Sequence, residues 1–277
     1  MDVTLAGFGL GAVVGLILAL TGAGGGILAV PLLVFGLHLS ITQAAPVGLI
    51  AVGAASVFGA ALGLREGIVR YRAAALIGVT GMLLAPLGVQ LARLVPNPPL
   101  TAAFACVLGW VALRTWRQSR RGAVDHLDGA QTRSQLPCVV EPDAQRLTWT
   151  TPCAWALAGT GAVAGLLSGL LGVGGGFVIV PSLSRYTNLA TRSIVATSLA
   201  VIALVSTGGV AAAAWQGAVD WHVAVPFAAG AIAALLAGQQ LAARLAGKRL
   251  QQSFAAISAA VAVLMLARAA GWIAAQP

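Results

Sequence analysis

Long apolar runs separated by short polar segments dominate the chain. They fall at 5–20, 27–37, 43–64, 73–95, 99–116, 153–171, 177–186, 193–215, 222–243 and 250–272. A helix needs about 20 apolar residues to cross a bilayer. Four of the runs are too short to span comfortably: 5–20, 27–37, 153–171 and 177–186. They form two pairs, each split by glycines. The first split is Gly22-Ala23-Gly24-Gly25-Gly26 and the second is Gly172-Val173-Gly174-Gly175-Gly176. The pattern predicts an all-α polytopic membrane protein.

The pattern also repeats itself at a fixed offset of 150. Gly11 matches Gly161, Gly15 matches Gly165, the glycine triplets match, and Pro31 matches Pro181. Ser56 matches Ser206, Gln90 matches Gln240 and Phe104 matches Phe254, without a gap. Alanine and leucine would coincide by chance in such a chain, whereas Gln, Pro, Phe and a triplet at one offset would not. Internal duplication is frequent in transporter folds. The expected organisation is a first membrane repeat at 1–116, a linker at 117–151 and a second membrane repeat at 152–277. The linker contains much of the charge together with Gly122, Gly129, Pro137 and Pro142, and reads as a flexible aqueous segment.

Composition strengthens the membrane reading. Hydrophobic residues make up 59% of the 277 and charged residues only 8%, against about 25% charged in soluble domains. The net charge of +9 does not point to nucleic acid. Its bases sit in short segments between apolar runs, as the positive-inside rule expects of cytoplasmic loops. Met1-Asp2-Val3-Thr4 lacks the basic start of a signal peptide, so the first run reads as part of the mature chain. Cys106, Cys138 and Cys153 are odd in number and widely spaced, which predicts neither a structural disulfide nor a zinc site.

The bases also discriminate between topologies. If each glycine-split pair is one span, the repeats are parallel and the bases divide ten inside to six outside. If each pair is a re-entrant hairpin followed by three transmembrane helices, the repeats are inverted. With the linker in the cytoplasm, fourteen bases then lie inside and only Arg93 and Arg268 outside. The second division obeys the rule better. It also suits the short pairs, since sixteen residues reach about 24 Å against a roughly 30 Å apolar core. Both termini are then outside.

The glycine runs carry the candidate chemistry. A helix that breaks inside a membrane leaves backbone groups unpaired, tolerated only where they are buried in protein or line a wet cavity. Helices restarting at Ile27 and Phe177 would aim free N–H groups and a positive dipole end at the break, which suits an anion. Close helix packing through small residues is the competing explanation. The candidate substrate-binding residues are Gly24, Gly25, Gly26, Ile27, Gly174, Gly175, Gly176 and Phe177. Thr197 and Ser198 join them as a polar step in an apolar helix, and Gln90 and Gln240 as a repeat-related polar pair. Other hydroxyls in the spans, Ser56 and Ser206 included, can bond their own helix. No dinucleotide fingerprint or GxxxxGK[ST] sequence is present, so no cofactor is expected. Every Asp and Glu lies outside the spans, which argues against a cation carrier or a carboxylate proton relay. An anion leaving a negative-inside cell needs no coupling ion, because 100 mV contributes about 2.3 kcal/mol per charge.

Gly15-x8-Gly24-Gly25-Gly26-x4-Pro31 and Gly165-x8-Gly174-Gly175-Gly176-x4-Pro181, followed by Ala196-Thr197-Ser198-Leu199, carry a family likeness. The chain resembles the sulfite exporter TauE/SafE family of bacterial membrane proteins in both halves. The resemblance implies a multi-pass protein of the bacterial cytoplasmic membrane exporting sulfite, a sulfonate or a related organosulfur anion. Val47-Gly48-Leu49 stands where the Thr-Ser-Leu pattern would repeat, so the pocket is expected to be asymmetric. The expected partners are a small anionic substrate and the lipid bilayer; a homo-oligomer is compatible with the sequence. Two alternatives remain: a membrane-embedded enzyme acting on a lipid or sulfur compound, and a non-transporting partner subunit.

Overall fold

The computed structural model describes residues 3–22, 24–121, 138, 150–187, 189–245 and 248–274. The described residues form ten helices: α1 (Val3–Thr21), α2 (Gly24–Gly36), α3 (Ile41–Arg65), α4 (Tyr71–Leu94), α5 (Asn97–Arg121), α6 (Thr151–Leu171), α7 (Gly176–Tyr186), α8 (Thr191–Trp215), α9 (Trp221–Leu245) and α10 (Lys248–Ala274). All but α2 and α7 are long and apolar enough to cross a membrane. Large apolar side chains face outward, among them Leu83, Leu113, Val225 and Val263. Trp155, Trp215, Trp221 and Tyr71 are exposed near helix ends, where amphipathic rings sit at a membrane interface. The chain is a multi-pass α-helical membrane protein.

Local chemistry sets several helix ends. Ser40 caps α3 in a capping box with Gln43. Thr150 caps α6, which has Pro152 in its first turn. The centre is built from α3 and α8, whose best membrane windows are 61% and 56% buried against 28–44% for the other spans.

Glycine contacts fix how the helices run. A Cβ on Gly11 or Gly15 of α1 would overlap the backbone of Phe227 or Ala231 on α9. A Cβ on Gly161 or Gly165 of α6 would do the same to Ile77 or Gly81 on α4. These are the same contacts moved by 150 positions, and in both pairs the helices run parallel. By contrast, Gly53 meets Ser206 and Gly63 meets Ala196, so α3 and α8 run antiparallel. Gly25 abuts Leu18 and Gly36 abuts Leu10, so α2 folds back along α1. Gly175 likewise packs on Ala164, and α7 returns along α6. Each glycine-split pair is therefore a helical hairpin rather than one interrupted span. Small residues permit this close approach, the usual device where lipid offers no hydrophobic drive between helices.

Four expectations need correction. The runs at 5–20 and 153–171 lie in α1 and α6, helices of 19 and 21 residues that are long and apolar enough to cross a membrane, so only α2 and α7 are short and each repeat has four candidate spans rather than three. The short helices begin at Gly24 and Gly176, not at Ile27 and Phe177, because glycine is readily accepted in a first turn whose N–H groups have no helical partner. Cys138 and Cys153 form a disulfide, with Cα atoms 5.1 Å apart. Spacing in sequence could not show that Cys138 is buried and donates its backbone N–H to the Tyr186 carbonyl at 3.2 Å, which brings it beside the start of α6. Finally, α5 continues to Arg121, into the expected linker; 122–137 and 139–149 lie outside the described residues.

Candidate functional site

The first hairpin turns at Gly22, whose φ of +73° favours glycine, and re-enters helix at Gly24. The second takes longer. Gly172 closes α6 in the left-handed region, its N–H donating to the Ser168 carbonyl at 2.8 Å, and α7 begins only at Gly176. The N–H groups of Val178 and Ile179 both bond the Gly175 carbonyl. Those of the residues before them lie outside the ladder of α7.

Each turn rests on the central helix of the other repeat. Gly22 packs against Val195 of α8, and Gly172 packs against Ala45 of α3, again offset by 150. The two breaks also touch. A Cβ on Gly26 would overlap the Val173 carbonyl, and Cβ atoms on Gly26 and Gly174 would come 3.2 and 3.1 Å from the same Val52 methyl. The starts of α2 and α7 therefore adjoin in the protein interior, with Gly25, Gly26, Ile27, Gly174, Gly175, Gly176 and Phe177 all buried. Gly24 opens α2, but its surroundings lie outside the described residues.

The other described candidates make contacts elsewhere. Thr197 is buried, but its hydroxyl accepts the Arg70 backbone N–H at 3.1 Å, tying α8 to the α3–α4 connection. The Ser198 hydroxyl donates to the Val195 carbonyl at 2.7 Å. That pair braces the helix on which Gly22 rests. Gln90 is exposed on α4, and the side chain of Gln240 lies outside the described residues. The structure instead draws attention to Ser56, Ser168 and Ser206, whose hydroxyls are buried and have no hydrogen-bond partner. Ser206 Oγ would be 3.7 Å from a Cβ on Gly174. The offset of 150 links Ser56 to Ser206, but hydropathy alone gives no reason to separate them from hydroxyls that bond their own helix.

A cleft of about 30 Å³, room for one or two waters, adjoins the second turn. Thr42, Leu49, Val89, Arg93, Gly169 and Ala213 contribute to its wall. The Arg93 guanidinium donates to the Gln216 carbonyl at 3.0 Å. A second cleft includes Arg268, Ser40, Asn97 and Thr101. Each cleft thus holds one of the two arginines that the base count leaves on the base-poor face.

Comparison with known proteins places these features in a family. The family described as "Sulfite exporter TauE/SafE" matches residues 7–265. A "Probable membrane transporter protein" of Xylella fastidiosa (strain 9a5c) is 29% identical over 267 residues, covering 94% of each chain. A protein of the same description from X. fastidiosa (strain Temecula1 / ATCC 700964) is 28% identical over 267 residues, again covering 94% of each. No solved structure matches.

Proposed function

The chain belongs to the sulfite exporter TauE/SafE family, and from that premise we propose that it exports a small sulfur oxyanion, sulfite or an organosulfonate, through the crossing of α2 and α7. As a member of that family it is a membrane transporter, not an enzyme. The observation that carries the proposal is the contact of Gly26 with Val173, which puts two helix starts side by side inside the protein. Aligned N–H groups and the positive ends of two dipoles favour a negative solute there. No acidic or basic residue occurs in 3–37, 41–64, 153–184 or 193–215, the segments that build the crossing.

The helix directions support one orientation. α1 and α9 run one way with α3; α4, α6 and α8 run the other. That arrangement supports inverted repeats in the membrane. It collects the ends of α3, α5, α7 and α9, where most arginines lie, on one face, which the positive-inside rule makes cytoplasmic. Arg93 and Arg268 then stand on the bacterial periplasmic face, beside the clefts. Outward movement of an anion runs down the membrane potential.

Reconstituted vesicles test the proposal. Sulfite or methanesulfonate efflux should follow an imposed potential and fall to background in Gly26→Leu, whose side chain must displace the Val173 backbone. An absence of flux from purified, folded protein would sink the proposal and favour the partner-subunit alternative.

A further inference from the structure

We propose that Ser206 and Ser56 are substrate-binding hydroxyls of this crossing, and that the crossing selects singly charged over doubly charged oxyanions; the inference rests on the transport reading above. Ser206 on α8 is 2% exposed and Ser56 on α3 is fully buried. Neither hydroxyl has a partner among the described residues. Hydroxyls elsewhere in the spans return their proton to their own helix: Thr80 on α4 to Leu76 at 2.8 Å, Thr160 on α6 to Ala156 at 2.7 Å and Thr207 on α8 to Leu204 at 2.6 Å. A buried, unbonded hydroxyl is costly, so its presence calls for a reason. For Ser206 the reason is its position. Its Oγ would be 3.1 Å from a Cβ on Gly53 and 3.7 Å from one on Gly174, between α3 and the second break. Ser56 stands at the matching sequence position of the first repeat, 150 residues earlier.

The charge preference follows from what surrounds the two hydroxyls. The segments that form the crossing contain no acidic or basic side chain. The fixed positive field therefore comes from the starts of α2 and α7, each equivalent to about half an elementary charge. Together they offset about one negative charge. A second charge would remain uncompensated in a low-dielectric interior, where an unpaired ion costs several kcal/mol. The Val173 carbonyl beside Gly26 adds negative potential and works against a dianion. Serine hydroxyls add directed donors without adding charge, which suits a sulfo group with three oxygens to satisfy. A sulfonate meets these terms at any physiological pH. Sulfite meets them as hydrogensulfite, and sulfate does not.

Vesicle flux of methanesulfonate, sulfite and sulfate, each measured below and above neutral pH, tests the inference. The expected result is pH-independent methanesulfonate flux, sulfite flux that rises as pH falls, and sulfate flux at background. Ser206→Ala and Ser56→Ala should each raise KM by about tenfold, the scale of one hydrogen bond to a charged group. Ser206→Cys keeps the volume with a weaker donor and should fall between. Ser258→Ala removes another buried hydroxyl without a partner among the described residues, on α10, which packs chiefly against α5, and should leave KM unchanged. Sulfate flux equal to that of methanesulfonate, or serine variants that match Ser258→Ala, would overturn the inference while leaving transport intact. Absence of flux for all three anions would overturn both.

Discussion

The two hairpins descend from one pattern yet turn differently. In the first, Gly22 is the one left-handed glycine among the described residues and the triplet lies inside α2. In the second, Gly172, Gly174 and Gly175 all adopt positive φ and only Gly176 is helical. Gly22 meets a side chain, Val195, whereas Gly172 meets the backbone of Ala45. The second hairpin is also clipped at its open end, where Cys138 bonds both Cys153 of α6 and the Tyr186 backbone at the end of α7. What both hairpins share is the set of pivot contacts at offset 150. Duplication preserved where each hairpin rests and let the path of its turn diverge.

Adding one methyl group to each turn puts the largest strain on this comparison. Gly172→Ala forces an L-residue into the left-handed region, at about 1–2 kcal/mol, and drives a Cβ into backbone, typically another ~1–3 kcal/mol. Gly22→Ala incurs the same backbone strain but meets only valine methyls. Thermal unfolding in detergent should therefore rank Gly172→Ala below Gly22→Ala. Val195→Ala should restore much of the loss in Gly22→Ala, while no truncation at Ala45 can relieve Gly172→Ala. Equal losses, or no rescue, would show that the two turns are backed in the same way.

The disulfide is the next difference. Cys138 and Cys153 are separated by 15 residues, and closing a loop of that size stabilises by about 3 kcal/mol. Oxidised protein should therefore melt above reduced protein, and Cys138→Ser should abolish the difference. The loss should concentrate in α6 and α7, read as faster amide exchange there than in α1 and α2. If the clip faces the cytoplasm, as the base count places it, cellular thiols will hold it reduced. Alkylation before lysis should then label both cysteines, and alkylation after oxidative isolation neither.

Hydropathy and the repeat made the ten helices and the two breaks legible, because lipid imposes length and polarity on every span. The base count favoured the hairpin arrangement for the same reason. Individual contacts were less legible. Thr197 and Ser198 read as pocket residues from polarity alone, but the Ser198 proton goes to its own helix, and that the Thr197 oxygen accepts from Arg70 depends on the packing of α8 against the α3–α4 connection. Gln90 matched at the right offset and still faces outward, since an offset preserves helix phase without saying which phase is interior. Ser56 and Ser206 carried the opposite error: in sequence they resemble any serine that bonds its own helix, and only tertiary structure shows that these two do not.

The smallest expected effect concerns the central helices. Thr197 ties α8 to the α3–α4 connection by accepting the Arg70 N–H. The repeat puts Val47, fully buried, opposite Asp220 in the same geometry, with no hydroxyl to offer. Thr197→Val should remove this acceptor from the Arg70 N–H and cost about 1–3 kcal/mol. Val47→Thr should gain up to about 1 kcal/mol if its hydroxyl reaches the Asp220 N–H, the net value of one hydrogen bond. A melting shift of opposite sign in the two variants would mean that the connections remain equivalent and only the side chain diverged. A loss in both would mean that the α8–α9 connection no longer presents its N–H to α3, extending the divergence of the hairpin turns to the helices that support them.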